Sequence, residues 1–157
     1  MTDEIKQAYT LRISQANRSE MVVIIYEMLF MYIDEAQSAL REDNKDAFHD
    51  AIRKCTACIR ELCASINYEL SVSSDLLSLY VYCMKLLAQA DSHYLGENLY
   101  NVELIMNKLY DAQREVAGND NSPAVMGNTQ AVYAGLTYGK ESLMVHLNGS
   151  SNRGFTA

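Results

Sequence analysis

The 157-residue chain has no tryptophan, one proline, three histidines and a single glycine before residue 118. Such poverty in proline and glycine argues against a turn-rich β fold and fits an all-helical domain. Basic residues are also scarce: 13 Lys and Arg against 20 Asp and Glu leave a formal net charge of -7, and the longest basic cluster is the pair Arg53-Lys54. A phosphate backbone needs a basic stripe, so nucleic acid is excluded as a partner, and an acidic surface disfavours anionic membranes. The start "MTDEIKQAYT" has neither a basic n-region nor a hydrophobic h-region, so no signal peptide is expected.

Long apolar runs are missing as well, with one near exception. Between Met21 and Ile33 only Glu27 interrupts the apolar and aromatic residues. A span needs about 20 such residues, whereas this segment covers roughly 20 Å as a helix. Glu20 and Asp34-Glu35 close both ends with charge, so membrane insertion is not expected and burial in protein is.

What is present is apolar material for a core: 49% of residues, rich in Met and Tyr, in a chain long enough for one domain without staples. The four cysteines are Cys55, Cys58, Cys63 and Cys83. Zinc would need a second pair or nearby histidines, and a redox Cys-x-x-Cys a strand-to-helix context. They read as core-filling thiols of a reducing, cytoplasmic protein.

Enzyme templates fail in turn. A di-iron site needs two Glu-x-x-His motifs with two further carboxylates, and the chain offers only Asp46 with His49. A phosphotransfer helix needs a small residue and a lysine just after its histidine, but His49 is followed by "DAIRK" and His93 ends a helix. "GLTYGKES" is one residue short of a P-loop and has no Ser or Thr directly after Lys140. No metal or cofactor is implied, and a non-enzyme is expected.

Periodicity marks four helices after a polar leader, residues 1–17, with apolar anchors Ile5, Tyr9 and Ile13. The first runs from about 18 to 42, with Asn17 as cap and Glu20 completing a capping box. "EDNKD" is a turn. The second spans about 45–68, where Phe48, Ile52, Cys55, Ile59, Leu62 and Ile66 keep a heptad seam opposite a charged face. The third covers about 75–94, capped by Ser73 or Ser74, with a stripe of Leu76, Leu79, Tyr80, Cys83, Leu86, Leu87 and Ala90; Gly96 ends it or begins the next turn. The fourth covers about 98–117, with Leu99, Val102, Ile105, Met106, Leu109, Ala112 and Val116 inward and Gly118 as its stop. Short links imply an antiparallel up-down four-helix bundle over residues 1–118. The extension 119–157 has near-zero net charge and recurring apolar residues, with spacing for short helical turns near 130–136 and 140–147, and is expected to dock somewhere, with self-docking one choice.

The first helix has more apolar surface than one face needs. If Ile24, Ile25, Met28, Tyr32 and Ala36 face the core, Val22, Tyr26, Phe30 and Ile33 spill onto a flank. Leader and tail can cover that flank, a helix buried on two sides would read the same way, and a groove for a partner's amphipathic helix is the functional alternative.

Several segments together resemble the flagellar secretion chaperone family FliS, from about Ile5 to Val116. "IKQAY" with Ile13 resembles its N-terminal segment. "SQANRSEMVVIIYEM" is similar to a Thr-Ala-Ser-Pro stretch followed by Leu-Ile-x-Met-Leu-Tyr, with Tyr26 as the tyrosine. "ELCASINYE" and "LLSLYVYCMKLLAQA" resemble the end of its second helix and its third. Arg18 stands where the family has proline, and Gln113 where it has tryptophan. The resemblance implies a cytoplasmic export chaperone that binds the C-terminal segment of flagellin, prevents premature polymerisation and delivers it to the flagellar type III export gate, without ATP or metal. With the apolar surplus, it places a client surface on Val22, Ile25, Tyr26, Asn67, Leu79, Tyr80 and Tyr82, under a movable cover bearing Ile5, Tyr9 and Ile13. The rivals are a phosphotransfer or other signalling bundle and a generic interaction module whose flank is a homodimer seam.

Overall fold

The computed structural model describes residues 2–127, and among these every regular element is a helix. The order is α1 (Asp3–Gln15), α2 (Arg18–Arg41), α3 (Lys45–Ala64), α4 (Ser73–His93) and α5 (Glu97–Asn119). α2 packs on α3 and α5, and α4 packs on the same two, so α2 to α5 close a ring with α2 and α4 at opposite corners. α1 packs on α2 alone among the stronger pairings.

The leader is thus a helix of its own. Asp3 and Glu4 sit in its first turn and Arg12 in its last, both favourable to the helix dipole, but it buries no residue. It turns at Ala16-Asn17 and runs back along α2, so Thr2 and Ile5 share a depression with Met31 and Asp34.

The Asn17 capping box is present in full. Asn17 Oδ1 accepts from the Glu20 backbone N–H and Glu20 Oε2 from that of Asn17, both at 2.9 Å. The α2–α3 turn falls at "EDNKD", with Asp43 in the left-handed region at φ 50° and Asn44 capping α3. The α3 seam from Phe48 to Ile66 is buried throughout.

Other boundaries move for local reasons. α3 stops at Ala64, not near 68: Ser65 Oγ donates back to the Leu62 carbonyl, and Asn67 Oδ1 takes the Glu69 N–H in an Asx turn. α4 starts at Ser73 with Val72 as its N-cap residue, so neither Ser73 nor Ser74 caps it. It ends on Tyr94 at φ 53°, a left-handed cap, and Gly96 instead opens α5. A Cβ on Gly96 would lie 2.8 Å from Leu40 Cδ2, which is why a residue without one suits this close approach. α5 continues through Gly118, and Ala112 and Val116 on its expected inner face are exposed.

The largest correction concerns α2. Its core line is Tyr26, Leu29, Ile33 and Ala36, so Tyr26 and Ile33 point inward, while Ile25, Met28 and Tyr32 are half-buried towards α3. Phe30 meets Tyr110 of α5 edge-on at 5.4 Å between ring centroids. Packed by three helices, α2 has little use for a polar face. Its apolar surplus is mostly structural. The short turns expected near 130–136 and 140–147 lie outside the described residues.

Candidate functional site: an apolar groove beside α1

Between α2 and α3 runs an open groove of about 520 Å³. α2 supplies Met21, Ile24, Ile25, Met28 and Tyr32 at helical spacing, α3 supplies Ala57 and Cys58, and Ile13 of α1 closes one edge. Lys54 and Glu61 are the charged members of the lining. Lys54 Nζ lies 5.5 Å from the Tyr32 ring centroid and 2.8 Å from Asp50 Oδ2. Its hydrogen bond to Asp50 pushes the Lys54 pKa up, so the ammonium is a fixed positive rim. Burial pushes the Tyr32 phenol up. The floor therefore carries no titrating charge near neutral pH, which suits an apolar peptide face.

Glu27, the interruption in the apolar run, anchors the helix beside the groove. Arg12 of α1 makes a bidentate pair with it, one arm at 3.1 Å, and the Tyr110 hydroxyl of α5 donates to it at 3.2 Å. The Arg12 guanidinium also stacks over Tyr9, 5.5 Å from its ring centroid. Hydrogen bonding to Glu27 raises the Arg12 pKa further, and burial raises that of Tyr9. α1 is held by this exposed ion pair and a few partly covered apolar side chains, not by core burial.

The elbow between α1 and α2 is clasped by the segment after α5. Asn17 Nδ2 donates to the Asp120 carbonyl at 3.1 Å and the Ser122 carbonyl at 3.4 Å, and Ser19 Oγ to Asp120 Oδ2 at 2.5 Å. Val125 N–H donates to the Ala16 carbonyl at 3.0 Å. Gln113 reaches the Ser19 carbonyl at 3.2 Å. Hydrogen bonds from Ser122, then Ser19, hold the Asp120 carboxyl down to about 2.

The residues expected on one client surface fall in three places. Ile13 and Ile25 line the groove, with Val22 half-buried nearby in sequence and Ile5 and Tyr9 further along α1. Tyr26 and Tyr80 are interior, 1% and 2% exposed, with their hydroxyl oxygens 2.6 Å apart. They are core residues, since a buried phenol needs a partner and each supplies the other's. Asn67, Leu79 and Tyr82 are exposed on the α3–α4 turn and outer α4, at the corner opposite α2. Met28, Tyr32, Ala57 and Cys58 belong to the groove but were absent from the expected set. Their spacing gives no sign of it, because half-buried and buried stripes look alike.

Other candidates have plain structural settings. Cys55, Cys58 and Cys83 are buried and Cys63 half-buried; burial pushes Cys58 and Cys83 up to about 11 and Cys55 further. Among the described residues no cluster of His, Cys, Asp and Glu could hold a metal ion. His49 Nδ1 lies 2.6 Å from Asp91 Oδ1 on the surface. No helix among the described residues is long and apolar enough to cross a membrane.

An all-helical domain with an open apolar groove and a lightly held helix beside it has the form of a peptide-binding module. A family model described as "Flagellar protein FliS" matches residues 1–120, and the chain belongs to that family, one of flagellar export chaperones. Comparison with curated proteins found no match.

Proposed function

We propose that the chain is a cytoplasmic chaperone that binds the C-terminal segment of flagellin, prevents its premature polymerisation and delivers it to the flagellar type III export gate. The observation that carries the reading is the apolar α2–α3 groove beside a helix that buries nothing. α2 to α5 are best read as an antiparallel up-down four-helix bundle, supported by their ring of pairings and short connections. Residues 1–118 form the chaperone domain and 119–157 its extension.

In this reading an amphipathic client helix lays its apolar face on Ile25, Met28 and Tyr32, and α1 with Ile5, Tyr9 and Ile13 gives way. Val22 extends that contact. Leu79, Tyr82 and Asn67 form a second contact for a client long enough to pass round the domain, and Tyr26 with Tyr80 supports both from beneath. Burying about 1,000 Å² of apolar surface yields roughly 25 kcal/mol gross, and ordering the client and losing its free motion consume most of it. The extension competes with the client by docking on the domain.

Calorimetric titration with a flagellin C-terminal peptide tests the reading. The expected dissociation constant is below about 10 μM, near −7 kcal/mol, and Met28→Glu should weaken it at least about tenfold, or 1.4 kcal/mol. Absence of heat and of binding at higher peptide concentrations would remove flagellin as the client.

A further inference from the structure

The chain leaves the described fold at a defined place. Bonds from Asn17 and Ser19 to Asp120, and from Val125 to Ala16, fix the start of the extension on the α1–α2 elbow. The groove opens at that same elbow, with Ile13 just before it and Met21 just after. A second depression there is lined by Arg12, Glu20 and Arg114 together with Val23 and Ile24, and is more polar than the groove. Downstream, residues 143–147 read Leu-Met-Val-His-Leu.

We propose that Leu143–Leu147 of the same chain occupies the α2–α3 groove, and that the 120–125 clasp is the tether that presents it. Leu143 lies sixteen positions after Gly127, and a chain of that many steps can reach at most about 53–58 Å. From Met21 to Tyr32 the groove is roughly 16 Å long at about 1.5 Å per helical residue, so the segment reaches it without strain. A tether of this length sets an effective concentration near 1 mM, so a segment with an intrinsic dissociation constant of about 0.1 mM is docked about 90% of the time. The extension then raises the affinity threshold for any client by about tenfold. The inference shares its groove with the client reading but is tested without a client.

Methionine oxidation reads the groove directly. The full chain and its L143E/L147E variant are treated with dilute hydrogen peroxide, and sulfoxide formation is followed residue by residue by mass spectrometry. Met21 and Met28 line the groove, half-buried Met84 lies on α4, and fully buried Met106 reports the integrity of the core. The expected result is oxidation of Met21 and Met28 about tenfold faster in the variant, with Met84 and Met106 unchanged. Equal rates in the two proteins overturn the proposal. So does protection that fades on dilution, which would assign the groove to the extension of a second copy.

Discussion

The paired hydroxyls of Tyr26 and Tyr80 allow a sharp energetic test. Both side chains are fully enclosed, and their oxygens lie 2.6 Å apart. Tyr80→Phe removes one oxygen and strands the other away from water. Leaving a buried hydroxyl without a partner costs about 1–3 kcal/mol, whereas removing both partners is nearly neutral. Y26F and Y80F should therefore each lose about 1–3 kcal/mol, and Y26F/Y80F less than either, about 1 kcal/mol at most. Urea unfolding followed by circular dichroism measures this. With a slope of about 2 kcal/mol per M, a 2 kcal/mol loss lowers the midpoint by about 1 M. With single losses of about 2 kcal/mol each and a double loss of about 1 kcal/mol at most, the double-mutant cycle should give a coupling of at least about 3 kcal/mol. If the double variant instead loses the sum of the single losses, the hydroxyls do not satisfy each other and the core is not dry at this point.

Two further outcomes follow from the described electrostatics. Burial raises the acid groups of Tyr26, Tyr80, Cys55, Cys58 and Cys83 above their ordinary values, the last two to about 11. The folded chain then keeps protons that the unfolded chain releases, so stability is full below the ordinary thiol value near 9 and falls as pH rises past it. Melting temperatures should be level from about pH 7 to 8.5 and drop steadily above; a level profile to pH 11 would contradict the burial of these groups. Separately, Arg12→Ala should cost under about 1 kcal/mol of global stability, as exposed ion pairs do, yet speed trypsin cleavage at Lys6 several-fold by loosening α1. Unchanged cleavage would mean that the Glu27 pair does not hold the helix.

How much could be read in advance depended on how many sides of a helix are covered. α3 shows one buried seam and one charged face, so the period named Phe48, Ile52, Cys55, Ile59 and Leu62 correctly. α2 is packed by three helices, and with apolar residues on nearly every side the period could not choose among phases. It therefore gave Ile25, Met28 and Tyr32 to the core and Tyr26 and Ile33 to the flank, the reverse of their placement. α1 lacks a strong apolar stripe, and only its composition and its end charges hint at a helix. Of the groove lining, the family resemblance pointed to Ile25 as client surface and to Ile13 as part of its cover, while Cys58 was hidden within a core pattern. The clasp was invisible because Ser19 and Asp120 are 101 residues apart, and nothing in either polar residue announces the other.

The ring of helices also has a direction in time. α2 is made early, but the residue that covers Phe30 and bonds Glu27, Tyr110, comes 83 residues after Glu27. At about 5–20 residues per second, a ribosome takes roughly 4–17 s to make that stretch. During that interval α3 can shield one flank of α2, and α1, already synthesised, can lie over another. The lightly held N-terminal helix can thus cover part of the most apolar segment of the nascent chain until α5 arrives to close the fold.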